Sequence, residues 1–403
     1  VTLAALIAAY HDSDEPGGGL RATLPLAGRT LVERQARLAA AAGANPIVIF
    51  VERVPPALVA AIGRLRGEGI PVILARGVAD AAEAIGPKDR LLMIADGLVA
   101  DENQVTRLVA AGGSVLLTLP DLGADERFER IDAQSRWAGL AVTDGQMLKQ
   151  TAAMLRDWDL QSTLLRRVVQ SGARQFSVRG DVVGAELTIA ETSADLALVQ
   201  SHIVQRASIA SRDDWVSRFL LAPIEQAATR LLIPAAVKPE WLCLGAAILT
   251  AAAAIAFAKQ WFWPGMLLAL LATPLDGIAE RLAALRMQTR SASGWVGEWL
   301  PGLAGAALLA LGYALAAVQG WGCELLAIVT ILFLLAMRGE DKGRAVEGGA
   351  FLAERKGMTW LMLPFAIAGL WVSGLAALAL YAAASFFWVQ RQAHPRISAP
   401  VKD

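Results

Sequence analysis

Across residues 1–200, short runs rich in Val, Ile and Leu alternate with stretches whose apolar residues recur at helical spacing. The runs Leu3 to Ala9, Pro46 to Val51, Pro71 to Ala75, Arg90 to Ala95, Ser114 to Leu119 and Gly139 to Thr143 read as strands, with helices such as Thr30 to Ala42 between the early ones. That rhythm predicts a Rossmann-like α/β domain, a mainly parallel sheet with helices on both faces. From 201 to 237 the pattern becomes helical and mixed. Trp215, Phe219, Leu220, Ile224 and Leu231 form an apolar series with Arg212, Arg218 and Arg230 outside it, which predicts a helix lying along a membrane surface. Pro223 should bend or restart that helix. Over 238–392, six apolar segments predict an all-α transmembrane domain: Trp241 to Ala258, Phe262 to Leu275, Trp299 to Val318, Trp321 to Met337, Met358 to Ala368 and Leu370 to Val389. The second and fifth are short for about 30 Å of hydrocarbon, so their helices should extend into the polar flanks. Residues 393–403 read as a tail.

Composition agrees with one water-facing part joined to one membrane part. The 403 residues are 55% hydrophobic, and the mean hydropathy is +0.46. The 37 basic and 37 acidic residues give no net charge, which argues against a nucleic-acid partner. No secretory pattern opens the chain: the first ten residues lack a basic region and run into the polar HDSDEPGGG, so the first domain is expected to stay in the cytoplasm. Basic residues cluster before the first apolar segment, in the second and fourth connections and in the tail, whereas the odd-numbered connections carry only Lys259. Both termini are therefore expected on the cytoplasmic side of a membrane, here the bacterial inner membrane. Cys243 and Cys323 lie in apolar segments and fit neither a disulfide framework nor a thiolate metal site. His11, His202 and His394 stand alone in polar stretches and read as solvated surface residues. Gly302, Gly305, Ala306 and Gly312 would let the third apolar helix pack closely on a neighbour.

Between the second and third apolar segments lies a charged island, residues 273–302. Asp276 and Glu280 stand one helical turn apart at its start, and Glu298 precedes the next segment. Facing one another across a cavity open to the cytoplasm, such carboxylates would suit a divalent cation. The stretch resembles the signature of the CDP-alcohol phosphotransferases, membrane enzymes whose pattern is D-x2-D-G-x2-A-R-x8-G-x3-D-x3-D. Its second Asp and Gly fall on Asp276 and Gly277, its Arg on Arg281 and its later Gly on Gly294. Thr273, Glu280, Glu298 and Gly302 stand at the first Asp, the Ala, the third Asp and the last Asp, and the gap from Arg281 to Gly294 is about four residues longer than the pattern. Pro223-Ile224 and Pro239-Glu240 fall where that family has R-P-I-S and T-P-N, so the resemblance covers residues 212–392.

The resemblance implies Mg²⁺, or Mn²⁺ in its place, held by Asp276 and Glu298 with Glu280. It implies that the pyrophosphate of a CDP-linked substrate approaches Gly277 and Gly294, that Arg281 offsets its charge, that CMP leaves as an alcohol attacks, and that the protein is a homodimer. The family's last Asp accepts the alcohol proton, and Gly302 has no group to do so.

The first domain carries a second resemblance. Gly17, Gly18, Gly19, Leu20 and Arg21 follow the first strand, where an open α/β sheet places its ligand crevice. With Leu24 to Leu31 they are similar to the Gly-rich loop, P-K and G-x-x-L helix of the sugar-phosphate and alcohol-phosphate nucleotidyltransferases, with Leu26 where the Lys would be. Asp96 ends a strand at that family's magnesium-binding Asp, Asp101 lies nearby, and TIAETSADLALVQ resembles its D-x-D-T-x-x-D-L close, with Glu191 at the second Asp. A bare turn is the structural alternative for both Gly17 to Gly19 and Asp96-Gly97.

The order of the two domains resembles the bifunctional inositol-phosphate cytidylyltransferase and di-inositol-phosphate phosphate synthase family, which makes a CDP-alcohol in one domain and consumes it in the next. Two function classes follow: a CDP-alcohol phosphotransferase of phospholipid or polar head-group synthesis, or a relative that keeps the fold to bind nucleotide, lipid or a partner protein. A transporter fits less well, because no inverted repeat is visible.

Overall fold

The computed structural model describes residues 2–121, 125–154, 159–178, 187–210, 214–233, 237–286, 294–341 and 349–393. The chain forms two compact units, Val1–Gln205 and Arg206–Asp403.

The strands of the first unit are β1 (Leu3–Ala8), β2 (Pro25–Leu26), β3 (Arg29–Thr30), β4 (Ala44–Phe50), β5 (Val72–Ala75), β6 (Arg90–Ile94), β7 (Leu98–Val99), β8 (Val115–Pro120), β9 (Ser135–Asp144), β10 (Arg174–Ser177) and β11 (Thr188–Ile189). The helices are α1 (Leu31–Ala41), α2 (Pro56–Gly67), α3 (Val78–Ala84), α4 (Glu102–Ala110), α5 (Gly145–Met154), α6 (Leu160–Gln170) and α7 (Ser193–Ala210). A seven-stranded sheet has the order β10-β8-β9-β6-β1-β4-β5. β1, β4, β5 and β6 run parallel, whereas β9 is antiparallel to both β6 and β8. Ala4 to Ala8 are all buried, which explains why β1 is an unbroken apolar run rather than an alternating one.

The first helix starts where the sequence places a capping box. The Thr30 amide donates to Glu33 Oε2 at 2.9 Å, and Glu33 is held there by Arg64 at 2.7 Å. From β1 the chain moves outward through β4 and β5, then returns to place β6 on the other side of β1. The carboxyl ends of β1 and β6 therefore flank the topological switch point, where open α/β sheets bind ligands.

The second unit is helical: α8 (Ala222–Leu232), α9 (Pro239–Ala258), α10 (Phe262–Leu285), α11 (Gly294–Gln319), α12 (Gly322–Asp341), α13 (Arg355–Ile367) and α14 (Trp371–Ala393). Among the described residues, five helices are long and apolar enough to cross a membrane: α9, α10, α12, and the Trp299–Gln319 and Trp371–Gln392 parts of α11 and α14. The expected fifth span becomes α13, whose 13 residues extend only about 20 Å against about 30 Å of hydrocarbon. Among the described residues, helix length thus supports five spans and leaves the expected sixth unconfirmed.

α10 continues past the apolar run into the charged island as far as Leu285, in spite of Pro274. A proline leaves the carbonyl four residues earlier without its amide donor. The Thr273 hydroxyl fills that role, donating to the Leu270 carbonyl at 2.7 Å. The expected small-residue packing of α11 is tightest at Gly312, while a Cβ on Gly305 would be in ordinary contact with Ile331 at 3.8 Å. A Cβ on Gly312 would lie 2.7 Å from the Ala327 Cβ of α12, whereas one on Gly302 meets nothing within 4 Å. Among the described residues Gly302 therefore meets no packing partner.

Candidate functional site

In the first unit, Asp96 sits two residues beyond β6 and is 4% exposed. Its Oδ2 accepts the backbone amides of Tyr10 at 2.8 Å and His11 at 2.7 Å, from the chain leaving β1. His11 Nδ1 lies 3.3 Å from the same oxygen. His11 is therefore not merely solvated; its bond to Asp96 raises its pKa against the lowering effect of burial. Asp96 Oδ1 is buried and has no hydrogen-bond partner among the described residues. A buried anionic oxygen without a partner is costly, so this atom suits a hard cation or a ligand donor. Asp96 thus offers one hard oxygen donor, and among the described residues no group of three His, Cys, Asp or Glu completes a metal site around it.

The glycine loop closes over the same end of the sheet. Asp12 and Leu20 form an isolated antiparallel bridge, and the Ser13 amide donates to the Gly19 carbonyl at 2.7 Å. Gly18 has φ +66 and open space around its Cβ position, so backbone conformation alone requires glycine there. Arg21 turns toward Glu191: its Nη2 donates to Glu191 Oε1 at 2.7 Å, and its Nε donates to the Asp12 carbonyl at 3.1 Å. A Cβ on Gly97 would lie 3.4 Å from Arg21 Cδ, which places Arg21 beside the Asp96 turn. Gly18, Gly19, Arg21 and Asp96 are thus gathered at one end of the sheet. Leu26 is buried with Leu24, Leu31 and Leu196 and brings no charge.

The opposite border of this crevice is formed by residues that no family motif of the sequence marks. Gln161 accepts the Asp96 amide at 3.1 Å, and Asp159 caps α6 while accepting the Tyr10 hydroxyl at 2.5 Å. Glu129, whose carboxyl is pushed up by burial, receives the Ser162 hydroxyl at 3.0 Å. The D-x-x-S spacing of Asp159 and Ser162 is a helix-start signal that could have marked this border. Asp101 caps α4, accepting the Glu102 amide at 2.9 Å.

In the second unit, Asp276, Gly277, Glu280 and Arg281 all lie on α10, with Glu280 exposed and Arg281 buried. Gly294 and Glu298 belong to the first turns of α11, and their side chains fall outside the described residues. Asp276 Oδ2 is bonded by Arg355, and its Oδ1 lies 3.8 Å from Lys356 Nζ. Arg281 Nη2 pairs with Glu225 Oε2 at 2.6 Å, both side chains being 1% exposed. Lys356 Nζ also donates to Ser217 Oγ at 2.9 Å and lies 3.7 Å from Asp214 Oδ2 and 3.8 Å from Glu225 Oε1. Gly277 is where a backbone approach was expected, but a Cβ there would lie 2.3 Å from Glu225 Oε1. Glu225, and not open space, occupies that approach. Among the described residues no group of His, Cys, Asp and Glu is arranged to hold a metal. The described side chains of this unit therefore do not fit the implied Mg²⁺.

The partners Asp214, Ser217, Glu225, Arg355 and Lys356 were not singled out from sequence. Over residues 214–232, where a membrane-surface helix was expected, Phe219, Leu220, Ile224 and Leu231 are exposed, whereas Asp214, Ser217, Glu225 and Thr229 are buried, the inverse of a soluble amphipath. Polar residues at helical spacing opposite an apolar series were the available signal. Arg355 and Lys356, read as part of a basic connection, open α13 and turn into the unit.

No known family model matches the chain, and no curated protein does. Among solved structures, the chain is similar to a nucleotidyl transferase from Methanothermobacter thermautotroptrophicus, at 17% identity and TM-score 0.37, over 51% of this chain and 99% of that one. It is also similar to a protein described as a glucose-1-phosphate thymidylyltransferase from Bacillus anthracis, at 13% identity and TM-score 0.37, over 50% of this chain and 94% of that one. The class that fold and site define is an α/β unit with a crevice at its switch point, joined to a helical unit with five candidate membrane spans.

Proposed function

We propose that this chain is an integral membrane protein of the CDP-alcohol phosphotransferase type that lacks the transfer step, and that its nucleotidyltransferase-like unit binds a phosphorylated nucleotide. The observation carrying this reading is that the signature residues of α10 are engaged internally: Asp276 by Arg355 and Lys356, and Arg281 by Glu225. A carboxylate paired to two cations is a poor ligand for a third, and an arginine neutralised at 2.6 Å offers little to a pyrophosphate. Gly302 adds no proton acceptor. In the first unit Asp96 would offer its free Oδ1 to Mg²⁺, whose charge would offset that of a phosphate, with the Gly18 and Gly19 backbone available to the phosphates. Both termini face the cytoplasm of the bacterial inner membrane, α13 completes a sixth crossing with its flanks, and two copies form the homodimer.

The competing reading is an active Mg²⁺-dependent enzyme of phospholipid or polar head-group synthesis. It would use Asp276, Glu280 and Glu298 for the metal and Gly277, Arg281 and Gly294 for the CDP group. One observation favours it: the Asp276 side chain keeps 17% exposure. Binding of a CDP-alcohol and release of CMP, measured with Mg²⁺ in wild type, Asp96→Asn and Asp276→Asn, separates the two. We expect nucleotide binding that Asp96→Asn weakens at least tenfold, and no CMP release. CMP release by the wild type that Asp276→Asn abolishes would overturn the proposal.

A further inference from the structure

The carboxylates of the helical unit converge on one point from three segments. Asp214 precedes the π-helical turn Ser217–Leu221, Glu225 lies on α8 and Asp276 on α10. At that point lies the ammonium of Lys356, which is 8% exposed and reaches in from α13. Its nitrogen is 3.7 to 3.8 Å from one oxygen of each carboxylate and 2.9 Å from Ser217 Oγ. The remaining oxygens are engaged as well: Asp214 Oδ1 accepts the Ser217 amide at 2.6 Å, Glu225 Oε2 meets Arg281 and Asp276 Oδ2 meets Arg355. Asp214, Glu225 and Asp276 are thus matched in charge by Lys356, Arg281 and Arg355.

We infer that Lys356 is a tethered counter-cation filling this carboxylate cage, so that the cage accepts a divalent cation only when Lys356 is removed. A divalent cation takes carboxylate oxygens at about 2.0 to 2.6 Å, and the cage leaves no position for one that does not also meet the ammonium. Like charges that close repel strongly in a buried setting. Gly277 makes the arrangement possible, because a Cβ there would lie 2.3 Å from Glu225 Oε1 and 3.0 Å from Lys356 Nζ. A lysine suits the role better than an arginine: it is a compact point charge on a flexible stem, able to be shared among three carboxylates. The inference rests on reading this unit as CDP-alcohol phosphotransferase-like, since that resemblance is what places a metal at Asp276.

The test uses Mn²⁺ binding to the full chain in detergent, followed by electron paramagnetic resonance. All chains carry Asp96→Asn so that the α/β crevice does not contribute. With Lys356 present, no Mn²⁺ binding should depend on Asp276. Lys356→Met should gain a Mn²⁺ site at least tenfold tighter than any in its parent, and adding Asp276→Asn should abolish the gain. Melting gives a second readout: Lys356→Met should lose stability and recover it with millimolar Mn²⁺, while the parent melts unchanged. Asp276-dependent Mn²⁺ binding in the parent overturns the inference even if Lys356→Met does not fold. So does a folded Lys356→Met chain that binds no Mn²⁺, although that result leaves the absence of transfer standing. CMP release by the wild type strikes the function reading instead.

Discussion

Replacing Gly277 by alanine distinguishes a glycine kept open for a ligand from one already covered by the protein. The added Cβ would lie 2.3 Å from Glu225 Oε1, 2.7 Å from its Cδ and 3.0 Å from Lys356 Nζ. Ordinary contact begins near 3.4 Å, so Glu225 must withdraw by about an ångström, further than a well-packed site usually yields. Withdrawal breaks its 2.6 Å pair with Arg281, whose side chain is 1% exposed and has no solvent to replace the carboxylate. Breaking one side of a buried pair costs about 3–5 kcal/mol, and alanine in a helix returns about 1 kcal/mol over glycine. The net expectation is a loss of about 2–4 kcal/mol, a melting shift on the order of 10 °C for a unit of this size. Thermal unfolding of the full chain in detergent, followed by tryptophan fluorescence, reads it directly. Gly302→Ala is the control, because its Cβ meets nothing within 4 Å and should leave stability equal or slightly higher. A Gly277→Ala chain as stable as Gly302→Ala would refute the reasoning, since Glu225 could not then occupy the approach to α10.

Two further outcomes follow from packing and ionisation. Gly312→Ala places a Cβ 2.7 Å from Ala327 Cβ and 3.1 Å from the Cys323 carbonyl, so α11 and α12 must part; a loss of about 1–3 kcal/mol is expected in the same melting assay, and a gain would refute the contact. Glu33 is fully buried, which opposes its ionisation, yet hydrogen bonds from Arg64 and Thr30 outweigh burial and hold its carboxyl below the ordinary glutamate pKa of 4.5. Its stabilisation is therefore complete above that value and is lost as pH falls through the lower, folded-state value. Glu33→Gln should weaken the sheet by about 2–3 kcal/mol at neutral pH, with the difference from wild type shrinking below pH 4.5. Hydrogen exchange of the β1 and β4 amides in the full chain measures it, and a difference independent of pH would exclude an ionised Glu33 as the cause.

Backbone-driven features were the legible ones. β1, β4, β5, β6 and β8 lie within a residue or two of their apolar runs; β1, β6 and β8 are buried on both faces and so apolar nearly throughout, whereas β5 at the sheet edge leaves Ile73 exposed. Asp96 and the glycine loop could be brought together on paper, since parallel neighbours end on the same side of a sheet. β9 was read only as Gly139 to Thr143, yet it spans Ser135–Asp144 and runs against its neighbours. Strand direction depends on the connection, and the turn-rich stretch before Ser135 carries no helix pattern to reveal it. The ionic partners of α10 were illegible for a different reason. Glu225 and Lys356 are separated in sequence by most of the unit, and each belonged to a pattern with its own sufficient meaning, an amphipathic helix and a basic connection. Only tertiary packing turns both toward Asp276.

Thr273 shows why the departures from the signature in this unit hang together. Its side chain is fully buried, bonds the carbonyl left open by Pro274 and accepts the Trp360 indole N–H of α13 at 3.2 Å. An aspartate there would accept from Trp360 but could not, when ionised, donate to the Leu270 carbonyl. It would also add a fourth negative charge to a neighbourhood where Asp214, Glu225 and Asp276 are already matched by Lys356, Arg281 and Arg355. Restoring that single signature residue therefore cannot by itself create a metal site, because the carboxylates are held by cations of the chain itself. Charge balance in the buried cage couples positions 214, 225, 273, 276, 281, 355 and 356, and the first group that must leave before a divalent cation enters is the Lys356 ammonium.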